Sequence, residues 1–144
     1  MSLSMTRAER ESFLAGVHVG VLGIAESDGN ALAVPIWYAY EPGGDIRVVT
    51  ADDSRKGRAL RATGRFSLCA QTEVAPYQYV TVTGSVVEQR PVQEADRREL
   101  AHRYLGPELG DMYVEATAEH EADSSVFVLR PERWMTVDYN KQFG

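Results

Sequence analysis

"QYVTVTGSVVEQ", residues 78–89, is the clearest strand in the chain and decides its fold. Val80, Val82 and Val86 point one way and Thr81, Thr83 and Ser85 the other, because side chains of an extended chain alternate between two faces. Gly84 interrupts the run at its centre. A glycine inside a strand usually marks a bulge or a bend, where a sheet turns a corner. A long two-faced strand with a break in the middle predicts a sheet that curls on itself.

The neighbouring segments fit such a sheet. "RFSLCAQT" (65–72) sets Phe66, Leu68 and Ala70 against Ser67, Cys69 and Gln71. Earlier, "HVGVLGIAE" (18–26), the turn signal "SDGN" and "ALAVPIWYAYE" (31–41) read as a hairpin. Pro35 has no N–H to give a ladder, so its position must be an edge, a bulge or a point facing a ligand. The turn "PGGD" (42–45) leads to "IRVVTA" (46–51), and the three strands together predict an antiparallel meander. "SSVFVLRP" (124–131) and "WMTVDY" (134–139) read as two closing strands.

Helices are placed by their caps. Thr6 and Glu9 form a T-x-x-E capping box, predicting a helix over Arg7–Ala15. Ser54 is the N-cap of a helix running to Thr63, with Leu60 as its apolar anchor and Gly64 as its stop. "PVQEADRRELAHRYLG" (91–106) is helical by spacing, with Ala95, Leu100, Ala101 and Tyr104 near one face, and a short helix is expected at Met112–Ala118. The expected fold is mostly β (α+β): an antiparallel β-barrel of about six strands with peripheral helices. No repeat or linker divides residues 1–144, which read as one domain. The opening "MSLS" reads as a possible remnant of cloning and is set aside in reading the fold.

Composition excludes several functions. A formal net charge of −6 and a pI near 5.1 argue against a nucleic-acid or membrane-surface binder. No apolar run approaches the roughly 18 residues of a membrane span, and the polar start "TRAERE" is unlike a signal peptide, so a cytoplasmic protein is expected. The single cysteine, Cys69 within "FSLCA", reads as a small core residue. His18 at a strand start, His102 on an amphipathic helix and His120 in the acidic "AEHEAD" are scattered, and no metal site is expected. Asp52 and Asp53 suit a helix start, since Arg55 and Lys56 would compete with a cation. There is no G-x-S-x-G elbow, no H-E-x-x-H, and no spaced carboxylate pair for hydrolysis.

Against this acidic background "TADDSRKGRAL" (50–60) stands out. Arg55, Lys56, Arg58, Arg61 and Arg65 are five of the chain's 15 Lys and Arg residues. Ser54 lies where a strand hands over to a helix, whose N-terminus carries about half a positive charge and free N–H groups. Arg55 would add a planar fork and Lys56 a mobile point charge. By spacing alone the segment is either a phosphate site or a solvated basic face.

The ordered context adds to this. "VPIWYAYEPGGDIRVVTADDSRKGRALRATGRFSLCAQ" followed by "PYQYVTVTGSV" resembles the pyridoxamine-phosphate-oxidase-like superfamily of split β-barrels, in particular its small flavin and deazaflavin oxidoreductases. The resemblance spans about residues 13–90, with "RPERWMTVDY" similar to the end of such chains. It implies an FMN-binding split barrel, usually a homodimer with the cofactor in a groove between subunits. Carried over, Ser54, Arg55 and Lys56 would grip the cofactor phosphate. Val49, Thr50 and Ala51 would run beside the ribityl chain and ring, and Val34, Pro35, Ile36 and Trp37 would present backbone groups to the ring edge. Gln71, Tyr77, Gln78 and Tyr79 would reach the ring or substrate, some from the partner, with Tyr77 and Tyr79 as catalytic candidates. Trp37, Tyr38 and Tyr40 alternate faces, so one aromatic should lie outside the core, where a dimer groove would cover it.

Two cofactors fit the resemblance. Flavin mononucleotide (FMN) needs one phosphate site. The deazaflavin coenzyme F420 carries a phosphodiester and an oligoglutamate tail, for which Arg58, Arg61 and Arg65, at i, i+3 and i+7, could extend the groove unless Gly64 ends the helix first. The expected function is FMN- or F420-dependent hydride transfer to or from a small unsaturated substrate. The alternatives are a non-catalytic flavin-binding or carrier module, or a plain interaction protein with an acidic partner. Pyridoxamine phosphate oxidase proper has a longer C-terminal segment bearing Arg and Trp; "RPERWMTVDYNKQFG" does not match it, so that substrate is not carried over.

Overall fold

Thr6 opens the first helix, α1 (Arg7–Ala15), with both halves of the expected capping box: its Oγ1 accepts the Glu9 N–H at 3.2 Å, and the Glu9 carboxylate accepts the Thr6 N–H at 2.8 Å. The computed structural model describes residues 2–143. β1 (Gly20–Ala25) and β2 (Ala31–Ile36) form the expected hairpin, with Gly29 at φ +89° in the turn. β3 (Ile46–Ala51), α2 (Arg55–Thr63), β4 (Arg65–Gln71) and β5 (Gln78–Pro91) follow, then α3 (Glu94–Ala116) and β6 (Ser124–Asp138). A 3-10 turn at Tyr139–Gln142 comes last.

The six strands make one curled antiparallel sheet in the order β2-β1-β4-β5-β6-β3. The meander expected over residues 18–51 does not form. β3 pairs along its whole length with β6, and its link to the hairpin is a single bridge between Ala39 and Arg47. Alternation specifies which face of a strand is buried and says nothing about its neighbour. β2 is an edge strand, one of the placements that Pro35 allows.

Two further expectations change. The closing strands are one 15-residue strand, β6, carried across its irregular centre by pairing with β5. The pairing slips between Thr83 and Gly84, the bend read from the sequence. A Cβ on Gly84 would stand 1.8 Å from the Arg130 carbonyl oxygen, so only glycine fits the close approach. The two expected C-terminal helices are the arms of α3, which folds back at Gly106 (φ +82°) and Pro107. The arms meet where Gly110 approaches Ala101 and where Arg97 Nη2 donates to the Val114 carbonyl at 2.7 Å. Leu100 and Ala101 are buried there, whereas Ala95 is exposed.

The inner face of the sheet is the core. Leu22, Val48, Leu68, Val80, Val82, Phe127 and Leu129 are fully buried, each contributing about 1.5–3 kcal/mol by removing apolar surface from water. Tyr38 and Tyr40 join them, and the Tyr38 hydroxyl donates to the Leu14 carbonyl at 2.7 Å. The outward aromatic is Trp37, and what covers it is this chain's own α3: its indole stacks on Tyr104 and tilts against Tyr113. Cys69 is not a core residue. It is half-buried on the outer face, between Val21 and Thr81.

Candidate functional site

β2 and β3 are the two free edges of the sheet, and they contribute to one cavity of about 220 Å³. The end of β2 supplies Pro35, Ile36 and, just beyond it, Trp37; β3 supplies Val49, and the first turn of α2 supplies Lys56. The far wall is α3, with Arg97, Leu100 and Tyr113, and the rim includes Glu121. The cavity therefore occupies the split of the barrel, where the ladder leaves room for a ligand.

The α2 N-terminus is built tightly. Ser54 Oγ accepts the Gly57 N–H at 3.0 Å and donates to the Ala51 carbonyl at 2.7 Å, so the hydroxyl is committed to the cap. A Cβ on Gly57 would lie 2.5 Å from that same Ala51 oxygen. The N–H groups of Arg55 and Lys56, at the first two helical positions, have no partner within the helix by position. Gly64, at φ +66°, ends the helix as expected.

The basic residues diverge from here. Lys56 lines the cavity. Arg55 turns away and donates from Nε and Nη2 to the Glu26 carboxylate, at 2.8 and 2.5 Å. These bonds hold Glu26 below the ordinary carboxylate range and raise Arg55 above its ordinary value. Arg58 borders a separate depression beside Glu26 and Arg55, and Arg65, already on β4, pairs with Glu132 at 2.8 Å. The strip expected from Arg58, Arg61 and Arg65 is thus interrupted at Gly64.

The other expected residues fall in three places. Pro35, Ile36, Trp37 and Val49 line the cavity, and Val34, on the same face of β2 as Ile36, packs against the core without reaching the cavity. Thr50 points into the barrel, 2% exposed, with its Oγ1 unpartnered among the described residues; neighbouring Ala51 is half-buried. Gln71 and Tyr79 face each other across β4 and β5, while Gln78 pairs opposite Asp138 and borders α1. Tyr77 is half-exposed in the loop before β5. None of these last four lines the cavity of the single chain. Arg97, Tyr113 and Glu121 escaped the sequence reading, because the packing of α3 and the segment after it against the sheet edges is a long-range contact that no local pattern signals.

The outer face of the sheet carries an apolar row. Pro35, Val21, Cys69, Thr81 and Met135 stand in register across five strands, with Val21 43% and Met135 58% exposed. Aligned apolar side chains on an open sheet face mark a contact surface more often than isolated ones do.

A split antiparallel barrel with a cavity at its seam defines a class. The family model described as pyridoxamine 5′-phosphate oxidase matches residues 6–138, and the chain belongs to that family. Among solved structures it is similar to one named F420 reductase, with 24% identity over 87% of this chain and 94% of that one, at a TM-score of 0.71. A conserved hypothetical protein from Mycobacterium tuberculosis superposes with a TM-score of 0.78 at 22% identity, over 99% of this chain and 90% of that one. A FAD-binding protein from Mesorhizobium loti gives 0.65 at 20% identity, over 92% and 93% of the two chains. At these identities the likeness is one of fold. No curated protein matches the chain. Among the described residues no helix is long and apolar enough to cross a membrane.

Proposed function

We propose that the chain is a cytoplasmic flavin-dependent oxidoreductase that uses FMN, with the deazaflavin F420 as the alternative cofactor, and acts on a small unsaturated substrate. The observation that carries this reading is the cavity between the free edges of β2 and β3, which sets Lys56 beside the apolar walls of Trp37, Pro35 and Val49. Such walls with a cation among them suit a planar ring carrying an anionic tail. A flavin supplies hydride transfer at its ring. The protein supplies orientation and the exclusion of water.

In this reading Lys56 and the free N–H groups at the α2 N-terminus hold the phosphate, and the Ser54 cap keeps those groups in place. Val49 and Ala51 border the ribityl chain, and residues 34–37 border the ring. Arg55 could join only by leaving Glu26. Arg58 lies beside it, where it would meet a longer tail.

A volume of about 220 Å³ is below the roughly 300–1,000 Å³ of a complete small-molecule site. One protomer thus encloses part of a flavin, which supports a homodimer joined through the outer face of the sheet. In that dimer Gln71, Gln78, Tyr77 and Tyr79 would approach the partner's site. Tyr77 and Tyr79 are then the candidates to donate a proton or a hydrogen bond at the substrate.

The test is a fluorescence titration of cofactor-free protein with FMN and, separately, with F420, followed by turnover assays with the reduced form that binds. Submicromolar binding of one, weakened in Lys56→Ala while the fold is kept, supports the reading. Binding without turnover of any acceptor would leave a carrier module, and binding of neither would remove flavin chemistry altogether.

A further inference from the structure

Arg55, the residue expected beside Lys56, is engaged with Glu26 and does not line the cavity. The second cation that does line it is Arg97 of α3. We propose that the cofactor phosphate is held between Lys56 and Arg97, and that Arg97, on the first arm of α3 and tethered by the arm that folds back, takes the role the S-R-K segment assigns to Arg55. The inference rests on the flavin reading above.

Arg97 is pre-organised for this. Its Nη2 donates to the Val114 carbonyl at 2.7 Å and to Thr117 Oγ1 at 2.8 Å, both in or just after the second arm of α3. Those bonds hold the guanidinium in one orientation at the cavity wall. Its Nε is shut off from solvent and has no partner among the described residues. With Nη2 bonded and Nε enclosed, Nη1 is the nitrogen left to donate a charge-assisted hydrogen bond to a phosphate beside the Lys56 ammonium.

The charge balance agrees. The ionisable side chains lining the cavity are Lys56, Arg97, Glu121 and the Tyr113 phenol. Glu121 already accepts a hydrogen bond from Ser124 Oγ at 3.2 Å. Two cations against one carboxylate leave the cavity a net positive charge, in a chain whose formal net charge is −6. The Arg55–Glu26 pair, by contrast, is closed on itself.

The experiment compares FMN with riboflavin, which carries the same ring and ribityl chain without phosphate. Dissociation constants are measured for the parent, Arg97→Gln, Arg55→Gln and Thr117→Val. Arg97→Gln is expected to lose FMN affinity by about tenfold or more, as for a lost charge-assisted hydrogen bond, with riboflavin affinity unchanged. Arg55→Gln should change the FMN-to-riboflavin ratio far less. Thr117→Val, which removes one tether and keeps the cation, should lose less FMN affinity than Arg97→Gln.

Equal losses for FMN and riboflavin in Arg97→Gln would make Arg97 a support of the α3 fold-back and overturn the inference. A phosphate-specific loss in Arg55→Gln and none in Arg97→Gln would overturn it in favour of Arg55. Both results leave the flavin reading standing, because the parent still binds. A parent that binds neither FMN nor F420 overturns the flavin reading and the inference together.

Discussion

The ring of Tyr104 lies parallel to the indole of Trp37, with centroids 5.0 Å apart and planes 6° from parallel. The Tyr104 hydroxyl continues the junction: it donates to the His18 carbonyl at 2.6 Å and accepts the Tyr38 N–H at 3.1 Å. One side chain of α3 thereby ties the segment before β1 to the segment after β2, and it backs the cavity-lining Trp37 from behind.

Tyr104→Phe keeps the stack and removes the hydroxyl, leaving the His18 carbonyl and the Tyr38 N–H without their partner. Each unsatisfied group costs about 1–3 kcal/mol when water cannot replace the bond. The variant should unfold at lower urea concentration with an unchanged slope. An unchanged midpoint would show that water satisfies both groups.

Gly84→Ala sets a Cβ 1.8 Å from a backbone oxygen of β6, with no flexible side chain to give way. The β5–β6 pairing must shift, and the loss should reach or exceed the roughly 1–3 kcal/mol of ordinary overpacking. Gly64→Ala is the contrast. Nothing lies within 4 Å of its Cβ position, so its cost is the left-handed backbone alone, about 1–2 kcal/mol. Thermal melts of the two variants should rank Gly84→Ala well below Gly64→Ala, and the reverse order would refute the close approach at Arg130.

Glu9 is held at a pKa of about 2, against an ordinary 4.5, by the Lys141 ammonium at 2.7 Å and by the Thr6 N–H. A carboxylate whose pKa is lowered on folding stabilises the fold above its unfolded value, and that contribution fades as pH falls from 4.5 towards 2. Acid titration of the parent should show this loss on its descending limb. Glu9→Gln should be less stable at neutral pH and should flatten that limb, and identical acid profiles would exclude the interaction.

Val21→Lys and Met135→Glu each place a charge in the apolar row on the outer face of the sheet. If that face joins two copies, sedimentation should show a dimer for the parent and monomers for either variant, with inner-face packing unaffected. A parent that stays monomeric at high concentration would refute the dimer.

Much of the fold was legible because its signals are local. Thr6 and Glu9, Ser54 and Gly64, and the alternating valines of 78–86 declare themselves through neighbours a few residues away. Pro35 marked an edge by lacking an N–H, and Gly84 marked the bend by lacking a side chain. The barrel class followed from these residues, and so did the place where a basic helix meets a strand.

Partner choice and side-chain direction depend on contacts far apart in the chain, and only the tertiary structure decided them. β3 pairs with β6 and not with the hairpin before it. Cys69 faces outward from a strand whose alternate residues are core, and Trp37 is covered by α3 of its own chain. Glu26 sits 29 residues before Arg55 and turns it from the cavity, while Arg97, 41 positions after Lys56, lines the same cavity and is held there by the arm of α3 that Gly106 and Pro107 turn back. Caps and alternation are properties of the local backbone. A binding cavity is made where distant segments close on one another, and its charges are set by which of them meet.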